Sequence, residues 1–136
     1  MVLVSTIVRR RRGTWGDEAA KPTRQPSRVA RLLALAHHLQ RAVDSGVVAN
    51  RATIARAFGL TRARVTQVLD LLLLSPDIQE LVLASEAINS VEAIRERDLR
   101  AICRSGTWET QRKRFGEQRD AASSSHAVDA RRAARE

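Results

Sequence analysis

A chain of 136 residues has room for one small domain with tails. Hydrophobic residues make up 43% of it but aromatics only 3%, so a core must be built from Leu, Val, Ile and Ala, which suits short packed helices better than a β-sandwich. The formal net charge of +9 favours a polyanionic partner, and the single cysteine, Cys103, excludes a disulfide framework or a cysteine-built zinc site.

The charge is uneven. Residues 1–30 carry seven basic and two acidic side chains, residues 31–83 six and four, and residues 84–136 eleven and nine. Of the 24 basic residues only Lys21 and Lys113 are lysine. Arginine offers a planar fork for phosphate and guanine, although a GC-rich genome would produce the same bias. No apolar run reaches the length of a membrane span, and Val2 to Val8 is too short and wrongly flanked for a signal peptide. The expectation is a soluble, cytoplasmic, nucleoid-associated protein with no membrane partner.

Residues 1–26 read as a basic arm and linker. Val2 to Val8 is apolar and β-branched: it either pairs as a strand with a second copy of itself or is disordered, since one strand alone is not stable. Arg9 to Arg12 is the most basic point of the chain, either an arm for phosphates or a minor groove, or a solvated tail. Gly13 to Pro26 has linker composition.

Residues 27–84 carry the organising element. Ser27 is an N-cap for a helix whose apolar positions Val29, Leu32, Leu33, Ala36 and Val43 keep helical spacing, with Gly46 ending the run. His37 and His38 are adjacent and point in different directions, with no Cys or carboxylate spaced to help, so no metal site is read from them. Asn50 caps the next helix, with Thr53 where a capping box would have Glu or Gln. From Asn50 to Leu74 the sequence NRATIARAFGLTRARVTQVLDLLLL describes two short helices and a tight turn. Ile54, Ala55 and Phe58 face inward in the first, and Val65, Val68, Leu69 and Leu72 in the second. Gly59 supplies a left-handed stop, Leu60 turns inward, and Thr61 caps the second helix. Small Ala55, the turn glycine four residues on and Val65 six beyond make the spacing of a helix-turn-helix, the second helix crossing close above Ala55.

With Val65 as the core direction and about 100° per residue, Ala63, Thr66, Gln67 and Asp70 point outward, with Arg62 and Arg64 flanking that face. Gln67 can pair with adenine, either arginine with guanine, and Ala63 or the Thr66 methyl can touch thymine. Arg51 and Arg56 suit phosphates. Asp70 either sits too deep to meet DNA or caps an arginine. The candidate DNA-binding set is Arg51, Arg56, Thr61, Arg62, Ala63, Arg64, Thr66 and Gln67. An ordinary helical hairpin with exposed arginines is the competing reading.

Ser75-Pro76 opens a further short helix through Ile78, Leu81 and Val82. The core stripe takes Leu72, which leaves Leu71, Leu73 and Leu74 to be covered by that helix or by a second chain. Residues 85–118 read as accessory charged helices, one from Asn89 to Ile102 with Ile94, Leu99 and Ile102 as its sparse apolar side, another marked by Trp108 and Phe115. Residues 119–136 have the composition of a disordered tail. The fold class is all-α: a small helical domain around a helix-turn-helix, between a basic N-terminal and a disordered C-terminal tail.

The stretch ATIARAFGLTRARVTQVLDLLLLSPDIQELVL resembles the helix-turn-helix domain of the ParB/KorB partition-protein family, including the trailing SPDIQEL helix. It is more similar still to small bacterial and phage-borne helix-turn-helix proteins found beside site-specific recombinase genes. Those share the segments that stand here as Arg28 to Ala36, Thr61 to Gln67, and Glu96 to Arg100 with Trp108, Gln111 and Arg112. The resemblance spans about residues 27–115. It implies a DNA-binding fold and a link to mobile elements, with double-stranded DNA, a second copy and a site-specific recombinase as partners. Partition proteins also carry an upstream nucleotide-binding domain and a downstream dimerisation domain, which are not expected here, so Arg9 to Arg12 are not read as a nucleotide box. Where the recombinase-associated proteins have Thr or Ser before ERDLR, this chain has Arg95.

No Gly-rich phosphate loop, spaced carboxylate pair or Cys/His pairing points to catalysis, and no cofactor is expected. The expected role is a transcriptional regulator or recombination accessory factor; the alternative is a helical adaptor that binds a recombinase or the transcription machinery.

Overall fold

Ser27 accepts the Ala30 N–H on its Oγ at 3.0 Å and so starts helix α1, Arg28–Asp44. The computed structural model describes residues 22–88 and 91–134. Along them α1 is followed by α2 (Arg51–Phe58), α3 (Arg62–Leu69), a 3-10 turn (Asp70–Leu73), α4 (Pro76–Leu83), α5 (Glu96–Cys103) and α6 (Trp108–Ala133). The domain is all-α except for two short strands, β1 (Arg24–Pro26) and β2 (Glu86–Ile88), paired antiparallel with Gln25 opposite Ala87.

Two expectations change at this ribbon. The linker over Gly13–Pro26 ends in a strand, and the helix expected from Asn89 begins only at Glu96. The cause is cross-linking to the start of α1. The Ser27 N–H donates to the Ser85 carbonyl at 3.0 Å, the two serine hydroxyls meet at 2.5 Å, and the Arg28 N–H donates to the Glu92 carboxylate at 2.7 Å. Extended backbone leaves its N–H and C=O groups free for a neighbouring strand, which a helix would not. Val2 to Val8 and Arg9 to Arg12 lie outside the described residues.

The core has two parts. Leu39, Ile54, Ala55, Val65 and Leu69 pack together beneath α2 and α3. A larger cluster joins Val29 and Leu33 of α1 to Leu71, Leu74, Ile78, Val82, Ile94, Leu99, Ile102 and Phe115. Helix α1, about 25 Å long at 1.5 Å per residue, feeds both, and half-buried Leu72 packs against both.

The leucine run shows why helical phase matters. Spacing from α3 predicts Leu72 in the core, yet Leu71 and Leu74 are buried, Leu72 is half-buried and Leu73 is 60% exposed. Regular α-winding stops at Leu69, and in a 3-10 turn residues three apart eclipse, so Leu71 and Leu74 fall on one side. Two glutamines satisfy the carbonyls that this turn leaves over. Gln79 Nε2 donates to the carbonyls of Leu72 (3.1 Å) and Leu74 (2.8 Å), and Gln111 Nε2 to that of Leu73 (3.1 Å). With its amide so oriented, Gln79 turns Oε1 to His37, whose Nε2 donates at 2.8 Å. Gln111 is 2% exposed and also accepts the Ser75 N–H on Oε1 at 2.9 Å. Buried amide groups of this kind stabilise only when both ends are bonded, as here.

Helix α6 starts at Thr107, whose Oγ1 accepts the Thr110 N–H, and is anchored through Gln111 and Phe115. It continues through residues 121–133, where composition predicts disorder, with almost all of that stretch exposed.

Candidate nucleic-acid interface

Helices α2 and α3 form a tight hairpin made by its caps. Asn50 Oδ1 accepts the Thr53 N–H at 3.0 Å, and Thr61 Oγ1 accepts the Arg64 N–H at 3.1 Å. Between them Gly59 adopts φ 62°, ψ 31°, the left-handed conformation that costs a side-chain-bearing residue but not glycine. The Leu60 N–H then returns to the Ala55 carbonyl at 2.8 Å, closing the end of α2. Ala55 is buried against Val65 in the smaller cluster, as a close helix crossing requires. Phe58 and Leu60 differ from expectation: they are 43% and 39% exposed, because nothing among the described residues closes over the end of α2 where they project.

Val65, Val68 and Leu69 occupy the inward face of α3. Arg62 and Ala63 are exposed on the opposite side, with Thr66 and Gln67 half-buried beside them; Thr61 is exposed at the N-cap, as are Arg51 and Arg56 on α2. From Asn50 to Leu69 the only charged side chains are Arg51, Arg56, Arg62 and Arg64. The hairpin therefore presents one sign of charge, which concentrates anions at its surface.

Arg64 stands apart from the other seven predicted site residues. It is half-buried, and its guanidinium makes a bidentate pair with Glu96, Nη1 to Oε1 and Nη2 to Oε2, the second at 3.1 Å. The hydrogen bond from Arg64 holds the Glu96 carboxyl below its ordinary range against the opposing effect of burial. Arg28 and Arg100 add a smaller push in the same direction. Glu96 is the residue that sequence reasoning missed. It lies 32 positions from Arg64, a separation with no periodic signature. Helix α5 begins at Glu96 although Arg95 makes no side-chain cap bond; Glu96 and Asp98 in its first turn face the positive end of the helix dipole.

Asp70 is half-buried after α3 and lies close enough to Cys103 to act on its thiol, so it is set back from the outward face. Burial pushes that thiol up to about 11, which leaves it protonated and unreactive at neutral pH. Among the described residues no three His, Cys, Asp or Glu side chains gather as a metal site requires, and no helix is long and apolar enough to cross a membrane.

Comparison with protein-family models, with curated proteins and with solved structures gives no significant match to this chain.

Proposed function

We propose that this protein binds double-stranded DNA in a sequence-specific way through α2 and α3, as a transcriptional regulator or as a recombination accessory factor of a mobile element. The observation that supports it most is the hairpin itself: Ala55 buried beneath Val65, with Arg62, Ala63, Thr66 and Gln67 directed outward and no acidic residue from Asn50 to Leu69. In this reading α3 enters the major groove. Gln67 and Arg62 meet base edges, Ala63 and Thr66 touch thymine methyls, Thr61 lies at the groove entrance, and Arg51 and Arg56 hold phosphates. The protein is a binder and not an enzyme, and it works on the nucleoid in the cytoplasm.

One recognition helix covers few base pairs, so the active form is a homodimer on half-sites about 34 Å apart, or a complex with a site-specific recombinase. The mobile-element setting rests on the resemblance of TRARVTQ and SPDIQEL to recombinase-associated and ParB/KorB proteins. The adaptor reading is weaker, because of the leucine run only Leu73 offers a large exposed surface.

Fluorescence anisotropy tests the proposal. Affinity for random duplex should fall steeply with salt as counterions are released, and a flat response would overturn it. On a selected site, Gln67→Ala and Arg62→Ala should each cost about 1–3 kcal/mol, with smaller losses on random duplex. Equal losses on both would mean that these side chains hold phosphates.

A further inference from the structure

Four arginines decorate the helix-turn-helix, but only Arg64 is paired with a carboxylate among the described residues. We infer that Glu96 is a specificity-determining positioning residue: it withholds Arg64 from general phosphate contact and fixes its fork in one orientation at the edge of the reading face. This rests on the proposed DNA-binding role of α3.

The geometry carries the argument. An end-on bidentate pair occupies one hydrogen on each terminal nitrogen of the guanidinium and leaves Nε–H and the outer Nη hydrogens unused. Arg64 therefore keeps a donor edge, but that edge points where Glu96 sets it. The pair is partly shielded, with side-chain exposures of 30% for Arg64 and 17% for Glu96, so salt weakens it less than a fully solvated pair. Glu96 itself is fixed on the first turn of α5, an element packed against the 3-10 turn that follows α3. Arg51, Arg56 and Arg62 are exposed, without such a partner, and free to follow any backbone. A phosphate must compete with a carboxylate already in place to engage Arg64. A base edge that meets the preset donor edge need not.

The test is a double-mutant cycle with Glu96→Gln and Arg64→Met, read as the salt dependence of binding to random duplex of about 20 base pairs, long enough for two half-sites one turn apart. Methionine keeps the apolar stem of Arg64 and removes its charge and its N–H donors. In wild-type protein, Arg64→Met should leave the slope of log affinity against log salt nearly unchanged. Glu96→Gln should steepen that slope by about 0.9, worth roughly eightfold in affinity at 0.1 M salt, and Arg64→Met in the Glu96→Gln background should abolish the gain. Equal effects of Arg64→Met in both backgrounds would overturn the inference while the DNA reading stands. Absence of salt-dependent binding in every form would overturn both. Glu96→Asp, which keeps the charge but shortens the reach, should fall between wild type and Glu96→Gln, and serves if the glutamine variant does not fold. A slope steeper than wild type is then expected, and one identical to wild type would count against the inference.

Discussion

The helix-turn-helix and the segment that follows it are held by different kinds of bond. In the hairpin the caps are local: Asn50 reaches Thr53, Thr61 reaches Arg64, and Leu60 returns to Ala55. After Leu74 the side-chain bonds that matter reach far along the chain. Gln111 serves Ser75 and Leu73, Arg112 pairs with Asp77 at 3.0 Å, Glu96 with Arg64, and Glu92 accepts from the Arg28 N–H. Neither α4 nor α5 begins with a side-chain cap bond. The difference teaches that α2 and α3 carry their own geometry, whereas α4, α5 and α6 are positioned by each other. The first arrangement suits the proposed DNA-binding role, since its side chains then depend on few distant contacts.

The largest expected effect tests the dependent half. Gln111→Leu keeps the volume but removes both ends of the clip, leaving the buried Ser75 N–H and the Leu73 carbonyl unpaired. The orphaned Ser75 N–H is fully buried and costs about 1–3 kcal/mol, whereas water can reach the Leu73 carbonyl, so the chain should melt below wild type. A melting temperature equal to that of wild type would show that water replaces the amide, and the contrast between the halves would lose its main support.

Next comes the hairpin. Ala55→Leu places extra methylenes where α2 and α3 cross, and overpacking costs about 1–3 kcal/mol. The loss should appear both in thermal melting and in DNA affinity. An unchanged melt would mean that the two helices do not meet closely at Ala55, and the reading of the hairpin as a DNA-binding motif would fall with it.

The same contrast explains how much was legible. Ser27, Asn50, Thr61, Gly59 and Pro76 announce helix boundaries within three or four residues, and those boundaries are where the sequence predicts them. The ribbon of β1 and β2 was not legible: each strand is three residues long, and the partners are about sixty positions apart. The roles of Gln111 and Glu96 were hidden for the same reason, since an isolated polar residue carries no period that names its partner. The leucine run was legible in part: Leu71 and Leu74 are buried with Ile78 and Val82 of α4, one of the two outcomes expected, but Leu72 is only half-buried. A four-residue change of helix type rotates Leu71 and Leu74 inward, and composition does not mark where such a change starts. On α3, Arg62 and Ala63 are exposed and Thr66 and Gln67 half-buried on the face expected to point outward, whereas Asp70 is set back toward Cys103 and the direction of Arg64 is decided by α5.

Acid offers the gentlest way to separate the two halves. The Asn50 and Thr61 caps are neutral and do not titrate, but the ties of the later helices include carboxylates. The bond from Arg112 holds Asp77 down from its ordinary value of 3.8 to about 2. Glu96 is lowered likewise by Arg64. A carboxyl depressed in the folded state contributes stability above its unfolded value, and that contribution is lost as pH falls through the folded one. For Asp77 the window therefore runs from about pH 4 down to about pH 2. Because the pair with Arg112 is solvent-exposed, the effect should be small. Wild-type protein should lose slightly more urea resistance across that window than Asp77→Asn, which has no charge there to lose. In amide hydrogen exchange the excess opening should appear in α4 and the first turns of α6, not in α2 or the turn at Gly59. Identical acid profiles for the two proteins would show that the Asp77–Arg112 pair adds nothing to stability, and that Gln111 and the core around Phe115 hold α6 in place.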